Sequence, residues 1–264
     1  MSRPRALVTG PTAGIGYSFA RALAACGHDL VLVARDADRL AGVAAELGAR
    51  YAVDVEVLRA DLSDREQVMR VAGRLREPDR PVDLLVNNAG FALATPFVGG
   101  DLDGELRQLD VMGAAVLVLS HAVVPGMVAR GHGAVVNVSS VAGFGPMGSY
   151  SAVKAWCTSF TESLSATLDG TGVTATALCP GFVRTEFHSR AGMDVGTRRS
   201  GWWLDPDDVV EDCLRDVRRG RAVSVPSARY RALALLLGLL PAGTYRARLL
   251  RSGRRRTGTS RGDR

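Results

Sequence analysis

The chain has 264 residues, of which 47% are hydrophobic and 23% are charged, a balance typical of a water-soluble globular protein. Its net charge of +6 is concentrated at one end: residues 245–264 contain eight arginines and one aspartate, a net +7, which leaves −1 for the rest. A nucleic-acid-binding enzyme is expected to carry its basic residues on the folded body, so the charge excludes this class. The four cysteines are widely spaced, with neither metal-binding nor disulfide spacing. With no signal-peptide pattern before the first strand, they indicate a cytoplasmic protein without a metal site.

The chain begins with an apolar strand, a glycine-rich turn and a helix. The strand covers residues 6–10, and Gly10, Gly14 and Gly16 then follow with the spacing G-x-x-x-G-x-G. Glycines in this position let the backbone approach a pyrophosphate, which the positive end of the next helix attracts. The turn therefore predicts a dinucleotide site, although a tight strand-to-helix turn alone can also require glycines.

The residues after the second predicted strand, Leu30–Ala34, bear on which dinucleotide binds. Arg35 follows this strand directly, and Arg39 lies one helical turn further on. A carboxylate at this point bonds the 2′-hydroxyl of NAD, whereas an arginine accepts the 2′-phosphate of NADP. We therefore expect NADP(H) to be preferred over NAD(H); the alternative is that both arginines are solvated surface residues.

Two more strands supply residues to the same edge of the predicted sheet. Asp61 follows the third strand, Val53–Val57, and is placed to meet an adenine ring. The fourth strand, Val82–Val86, ends in Asn87–Gly90, whose small and amide residues either line a coenzyme crevice or form a simple turn.

Strands and helices alternate along the remaining chain. Ser63 and Glu66 have the spacing of a capping box, and an apolar helix over residues 104–130 is expected to pack on the sheet and against another subunit. Further strands are predicted at Ala134–Val138, Val173–Leu178 and Ala222–Val225. We predict an α/β fold: a single doubly wound, Rossmann-like parallel sheet of about seven strands with helices on both faces.

Ser140, Tyr150 and Lys154 are the candidate catalytic residues. Tyr150 and Lys154 are four residues apart at the start of a predicted helix, and therefore lie on one face. A nearby ammonium lowers the pKa of a phenol, so that it can exchange a proton with a substrate oxygen near neutral pH. Ser140, after the preceding strand, can hold the same oxygen. The pair Tyr-x-x-x-Lys also occurs by chance, so the argument depends on the motifs earlier in the chain.

Together these motifs resemble the short-chain dehydrogenase/reductase family, in particular its bacterial NADP-dependent members, over about residues 5–225. They fall in the family's order with near-family spacing. The motifs are Thr9-Gly-x-x-x-Gly14-Ile-Gly16, Asp61, Asn87-Asn-Ala-Gly90, Ser140, Tyr150-x-x-x-Lys154 and Pro180-Gly-x-x-x-Thr185.

The resemblance implies a role for each matching position. Tyr150 would be the general acid/base, Ser140 would polarise the carbonyl, and Lys154 would hold the nicotinamide ribose and lower the pKa of Tyr150. The reaction implied is hydride transfer between NADPH and a ketone or aldehyde, or the reverse oxidation of an alcohol. The resemblance and the residues above together give a coenzyme site. It comprises Thr9, Gly10, Thr12, Gly14, Ile15, Gly16, Arg35, Asp61, Asn88, Ala89, Gly90, Tyr150, Lys154, Pro180, Gly181, Val183 and Thr185.

The chain departs from the family pattern at two points. Met112 stands where the family usually has an asparagine that supports a water in the proton relay. The interval from Ser140 to Tyr150 is also about three residues shorter than is common. Met112 leaves an alternative open: a dinucleotide-binding sensor or scaffold with weak catalysis.

The C-terminal part predicts the substrate side and a tail. Residues 186–204 occupy the position of the family's substrate lid, and their aromatic residues favour a lipophilic carbonyl or alcohol, unless they pack into the core. The apolar segment 232–241 is too short to span a bilayer; it either docks beside the pocket or, with the following arginines, contacts a membrane surface. We assign residues 1–245 to one coenzyme-binding and catalytic domain and 246–264 to a basic, disordered tail. The resemblance implies a homodimer or homotetramer.

Overall fold

The structure, a computed structural model, describes residues 3–93, 95–187 and 202–239. Nine strands lie in these ranges. They are β1 (Arg5–Thr9), β2 (Asp29–Ala34), β3 (Val55–Arg59), β4 (Leu84–Asn87), β5 (Gly133–Val138), β6 (Val173–Leu178), β7 (Phe182–Val183), β8 (Trp203–Leu204) and β9 (Val223–Ser224). Seven strands form one parallel sheet in the order β3-β2-β1-β4-β5-β6-β9, and β7 pairs with β8 in a small second sheet.

Eight α-helices lie in the same described ranges and connect and cover the strands. They are α1 (Gly14–Ala25), α2 (Ala37–Tyr51), α3 (Arg65–Leu75), α4 (Leu102–Leu109), α5 (Ala115–Arg130), α6 (Ser149–Thr167), α7 (Pro206–Arg218) and α8 (Ala228–Leu239). A π-helical turn, Asp110–Ala114, joins α4 to α5, and a 3₁₀ turn, Val141–Phe144, follows β5.

The core lies on both faces of the large sheet, because successive side chains of a strand point to opposite faces. In β2, Leu30 and Leu32 pack with residues of α1, α2 and α7, whereas Val31 and Val33 pack with residues of α3 and α5. All four are almost completely buried, as expected for a parallel strand that is covered on both sides.

The order of the strands places a crevice at their carboxyl ends. β1 pairs with β2 on one side and with β4 on the other, so the chain reverses its direction of travel through the sheet at β1. Ligands of open α/β sheets bind at such a point. Gly10 follows β1 and Asn88 follows β4, so these residues stand at the crevice.

The predicted doubly wound sheet of seven strands is confirmed, with three local differences. β3 and β4 each begin two residues later than expected. The capping box is wrong: Asp64 caps α3 by accepting from the N–H groups of Glu66 and Gln67, while Ser63 donates to Asp61. The helix expected over residues 104–130 contains the π-helical turn Asp110–Ala114.

The continuous helical stretch Leu102–Arg130 has 29 residues and a mean hydropathy of 2.0 in its most apolar window, enough by length and composition to cross a membrane. More than half of that window, 56%, is buried within the fold. Leu119 and Val123 of α5 belong to the core against the sheet. This burial is typical of a core helix.

Candidate active site

Hydrogen bonds fix the ends of β1 and β4 to each other at the crevice. The hydroxyl of Thr9 accepts from the backbone N–H groups of Asn88, at 2.9 Å, and Ala89, at 3.0 Å. The side-chain amide of Asn88 donates back to the carbonyls of Thr9, at 2.9 Å, and Gly10, at 3.1 Å. Thr9 and Asn88, predicted to bind coenzyme, therefore also brace the crevice.

The glycine-rich turn needs its glycines for two different reasons. Gly10 and Gly14 have φ angles of 66° and 55°, in the left-handed region that side chains disfavour. Gly16 is required by space, because a Cβ atom there would lie 2.1 Å from the carbonyl oxygen of Gly10 and 2.3 Å from Nδ2 of Asn88. The backbone is therefore held close to the place where a ligand would enter.

The start of α1 fits a phosphate group. Its N-cap residue, Ala13, provides no side-chain hydrogen bond, so the N–H groups of the first turn point toward the crevice without a cap. Thr12 precedes this turn, and its carbonyl accepts from Arg39 at 3.1 Å. Ile15 lies within the turn and packs on the core.

Three arginines surround the end of β2. Arg35 is largely exposed, with 70% of its side chain accessible, and lies 3.8 Å from Asp61. Arg39 donates to Thr12 and lies 3.5 Å from Glu186. Arg59, which the sequence analysis did not single out, donates to the carbonyl of Arg35 at 3.2 Å. Its position at the end of β3, beside β2, is the signal that could have identified it. This edge can hold an anion such as a 2′-phosphate.

The candidate catalytic residues come together from β5 and α6. Ser140 follows β5, and its side chain lies close enough to Tyr150 to lower the pKa of the phenol. Lys154 lies one turn after Tyr150 on α6, with its Nζ 5.7 Å from the centre of the tyrosine ring. The same Nζ donates to the Val138 carbonyl at 2.7 Å, which holds the ammonium at the end of β5.

The pKa of Tyr150 differs from the expectation. Burial raises it to about 12, while the nearby hydroxyl of Ser140 acts in the opposite direction. Burial also lowers the pKa of Lys154. The phenol is therefore protonated at neutral pH, which suits a group that must donate a proton to a carbonyl oxygen.

Met112 lies near Lys154, the candidate catalytic lysine, on the other side of Gly90. It is almost completely buried in the π-helical turn. A Cβ atom at Gly90 would lie 2.9 Å from the Met112 sulfur and 3.7 Å from Nζ of Lys154, so Gly90 separates the two side chains. An apolar thioether thus lies close to the Lys154 side chain.

A buried polar network that the sequence analysis missed orients β5 and α6. Asn87 donates to Asn137 at 2.9 Å, and Asn137 donates to Thr161 of α6, also at 2.9 Å. Ser139 donates to the Lys154 carbonyl at 2.7 Å. These bonds tie β4 to β5 and β5 to α6. Such polar residues at the ends of neighbouring parallel strands were the available signal.

The segment after β6 closes the other side of the crevice. The Pro180 carbonyl accepts from Val141, and Val183 belongs to β7. A Cβ atom at Gly14 would lie 2.8 Å from Cγ2 of Thr185, so this threonine covers the glycine-rich turn. The ring of Phe187 lies 5.9 Å from that of Tyr150. The segment therefore reaches from the glycine-rich turn to Tyr150, the candidate catalytic tyrosine. Residues 188–201, including Met193 of the predicted lid, are outside the described residues.

A surface cavity of about 430 Å³ lies elsewhere, at the outer edge of the sheet beside α7 and α8. Arginines and aspartates line it, including Arg219, Arg221 and Asp216, and none of the predicted site residues does. We place the site in the crevice because the tyrosine, serine and lysine converge there. Within residues 3–93, 95–187 and 202–239 no group of side chains could hold a metal ion.

Comparison with known proteins gives consistent results. Residues 4–195 match a family described as short chain dehydrogenase. The chain is 41% identical over 215 residues to sulfoacetaldehyde reductase 2 of Chromohalobacter salexigens, a match that covers 78% of this chain and 84% of that protein. It resembles the structure of a short-chain dehydrogenase from Sphingobium yanoikuyae in complex with NADPH, with a TM-score of 0.80, 35% identity and coverage of 99% and 98% of the two chains. The bulky-bulky ketone specific alcohol dehydrogenase of Comamonas testosteroni aligns with a TM-score of 0.77 and 26% identity, over 100% of this chain and 98% of that one.

Proposed function

Because the chain belongs to the short-chain dehydrogenase/reductase family, an oxidoreductase family acting on CH–OH and C=O groups, we propose that it is a carbonyl reductase or alcohol dehydrogenase that uses Ser140, Tyr150 and Lys154. The observation that carries this proposal is that three groups converge: Ser140 lies close enough to Tyr150 to lower the pKa of the phenol, and Nζ of Lys154, one helical turn on, lies 5.7 Å from the tyrosine ring. A protonated phenol, a second hydroxyl and an ammonium then stand together at the carboxyl end of β5.

The geometry supports a division of roles in the reduction. NADPH, when bound, supplies the hydride that forms the new C–H bond as the carbonyl π bond breaks. Ser140 and Tyr150 donate hydrogen bonds to the carbonyl oxygen and polarise it. Tyr150 then passes its proton to that oxygen, and the Lys154 ammonium stabilises the phenolate left behind. The raised pKa of Tyr150, about 12, keeps its phenol protonated until the substrate takes the proton.

We assign the coenzyme as NADP(H) in preference to NAD(H). The glycine-rich turn is packed closely, since a Cβ atom at Gly16 would lie 2.1 Å from the carbonyl oxygen of Gly10, and such a turn lets its backbone N–H groups approach a pyrophosphate. Arg35, Arg39 and Arg59 supply positive charge where the 2′-phosphate would lie. The Sphingobium relative is described in complex with NADPH, which agrees with this assignment.

The substrate is a lipophilic ketone or aldehyde. Phe187 contacts the ring of Tyr150, so an apolar surface stands beside the reacting oxygen. The Comamonas relative is described as specific for bulky-bulky ketones, which supports this class. The name of the Chromohalobacter relative indicates a small anionic aldehyde instead, so an assay must include both.

The protein is a cytoplasmic homodimer or homotetramer whose residues 1–245 form one domain. Exposed apolar side chains on α4 and α5, including Leu106, Leu109 and Leu117, support a subunit contact there. On α6, the exposed Trp156 stacks on Phe160 at 5.1 Å. Light scattering after size-exclusion chromatography measures the number of subunits.

A second candidate is a dinucleotide-binding sensor with weak catalysis, favoured by the buried Met112 beside Lys154. Under this function the protein binds NADPH but oxidises it with none of the carbonyls tested. A Met112→Asn variant would then gain turnover, because an amide at this place can hold a relay water.

The proposed reaction is tested by substituting Tyr150→Phe and measuring NADPH oxidation with aryl ketones, aliphatic aldehydes and sulfoacetaldehyde. We expect kcat/KM to fall by about 10³-fold, because the proton donor is removed, while NADPH still binds. Tyr17→Phe is the matched control: its hydroxyl contacts Glu46 on the protein surface, and its activity should equal that of the wild type. Equal activity of both variants would contradict the proposal.

A further inference from the structure

Tyr230, on α8, reaches across to the segment that covers the active site. Its side chain is 3% exposed, although the residue lies beyond the span of the family motifs. The hydroxyl accepts from the N–H of Phe182 at 3.0 Å and donates to the carbonyl of Trp202 at 2.9 Å. One buried hydroxyl thus joins β7 to the residue that precedes β8.

The ring of Tyr230 is held as tightly as its hydroxyl. A Cβ atom at Gly181 would lie 2.0 Å from Cζ of Tyr230, so the ring packs directly on the Gly181 backbone. On another side the ring meets that of Trp202 edge-on, with 5.6 Å between the centres. Residue 181 must therefore be a glycine if the ring of Tyr230 is to keep this position.

The segment that Tyr230 anchors carries residues with direct contacts to both halves of the site. Val183 pairs with Leu204 in the small β7–β8 sheet. Thr185 then lies on Gly14 of the glycine-rich turn, and Phe187 lies against the ring of Tyr150. A shift of the anchored end would move Thr185 and Phe187, because only a few residues separate them from Phe182.

We infer that Tyr230 is a positioning residue, whose hydroxyl and ring hold residues 181–187 in the place where Thr185 faces the coenzyme and Phe187 faces the reacting carbonyl. The inference rests on the proposed function for the identity of those ligands. It assigns to α8, outside the motif-bearing part of the chain, a part in coenzyme binding and in the orientation of the substrate. Tyr230 itself touches neither the reacting atoms nor the glycine-rich turn in the described contacts.

The conservative variant Tyr230→Phe tests the hydroxyl, and Tyr17→Phe, which removes a hydroxyl bonded to Glu46, is its matched control. Without the hydroxyl, the Phe182 N–H and the Trp202 carbonyl lose their buried partner, and we expect the NADPH dissociation constant to rise by at least about fivefold. The ratio of alcohol enantiomers formed from a prochiral ketone should also change. A ratio does not depend on how much enzyme is folded, so a merely structural role would leave it unmoved.

Hydrogen exchange measures the anchoring directly and needs no ligand. In Tyr230→Phe we expect faster amide exchange in residues 182–187, whereas residues 5–9 of β1 should exchange as in the wild type. Unchanged exchange in residues 182–187, or NADPH binding as tight as in Tyr17→Phe, would overturn the inference.

A pair of further variants tests the fit of the ring. Gly181→Ala should weaken NADPH binding, because the new methyl group meets the Tyr230 ring, and should be tolerated better when combined with Tyr230→Ala, which opens that space. Additive effects of the two substitutions would contradict the close packing of the Tyr230 ring on Gly181.

Failure of the proposed function would give a different result: wild-type protein would not bind NADPH or would reduce no carbonyl. The exchange data would still decide whether Tyr230 anchors the segment.

Discussion

The two sides of the crevice are built in different ways. The coenzyme side consists of the ends of β1 and β4, two central strands of the seven-stranded sheet, which Thr9 and Asn88 join with four hydrogen bonds. The other side consists of residues 181–187, which are paired through two-residue strands and anchored by Tyr230. A side that belongs to the core resists displacement more than a side that is held by a few peripheral contacts.

The strongest way to break the coenzyme side is Gly16→Ala. The added methyl group would lie 2.1 Å from the carbonyl oxygen of Gly10, so the turn must open. We expect the free energy of unfolding to fall by about 1–3 kcal/mol and NADPH binding to be lost. Urea unfolding and a fluorescence titration with NADPH measure the two effects.

Gly42→Ala is the matched control for this substitution. Gly42 lies inside α2, and a Cβ atom there would meet nothing within 4 Å. This variant should gain about 0.5–1 kcal/mol in stability, because alanine favours a helix more than glycine does. If both variants change stability in the same direction, close packing at Gly16 is not what braces the turn.

A smaller effect should come from Arg35→Ala, which tests whether the coenzyme side recognises the 2′-phosphate. Arg35 is mostly exposed at the end of β2, so its removal should leave stability nearly unchanged. We expect NADPH to bind about tenfold more weakly, since a charge-assisted contact to the 2′-phosphate is lost, and NADH to bind as before. Titrations with both coenzymes give the ratio of their dissociation constants.

Arg107→Ala serves as the control, because Arg107 is also exposed and pairs with Asp101 on α4, away from β2. It should bind both coenzymes like the wild type. A wild-type protein that binds NADH as tightly as NADPH would show that the preference is wrong, whatever Arg35 contributes to binding.

The smallest effect concerns His28, which precedes β2 at the amino ends of the strands, opposite the crevice. Burial lowers the pKa of His28, outweighing the nearby carboxylates of Asp83 and Asp29. The unfolded chain therefore takes up a proton that the folded protein resists, and stability should decrease as the pH falls below about 6.5. Urea midpoints at neutral and mildly acidic pH measure the change.

His28→Gln should remove part of this pH dependence. The coenzyme affinity of this variant at neutral pH should stay the same, since His28 precedes β2 and does not lie at the crevice. An identical pH slope in wild type and His28→Gln would exclude His28 as the source.

The coenzyme side could be predicted from sequence because its features are local. Gly10 and Asn88 directly follow apolar strands, and parallel strands bring their carboxyl ends together. The sequence also indicated that Tyr150 and Lys154 share a helix face, and the structure shows the lysine beside the tyrosine ring.

Features that depend on burial or distant contacts could not be predicted in the same way. The sequence shows the Lys154 charge, which predicts a lowered pKa of Tyr150, but it does not show the burial that raises this pKa. The strands β7 and β8 have two residues each, too few for any periodicity. Tyr230 shows its role only when Gly181, far away in sequence, is seen beneath its ring.

Tyr230 lies on the last described helix, so the residue that anchors residues 181–187 is synthesised after the strands and motifs that form the crevice. The strands β1 to β4 leave the ribosome early. A nascent chain can therefore bring Thr9 and Asn88 together before α8 is translated. The partner of the Phe182 N–H emerges only later, with α8. A product of premature termination before α8 would therefore keep every family motif and still lack the tyrosine that holds residues 181–187 in place.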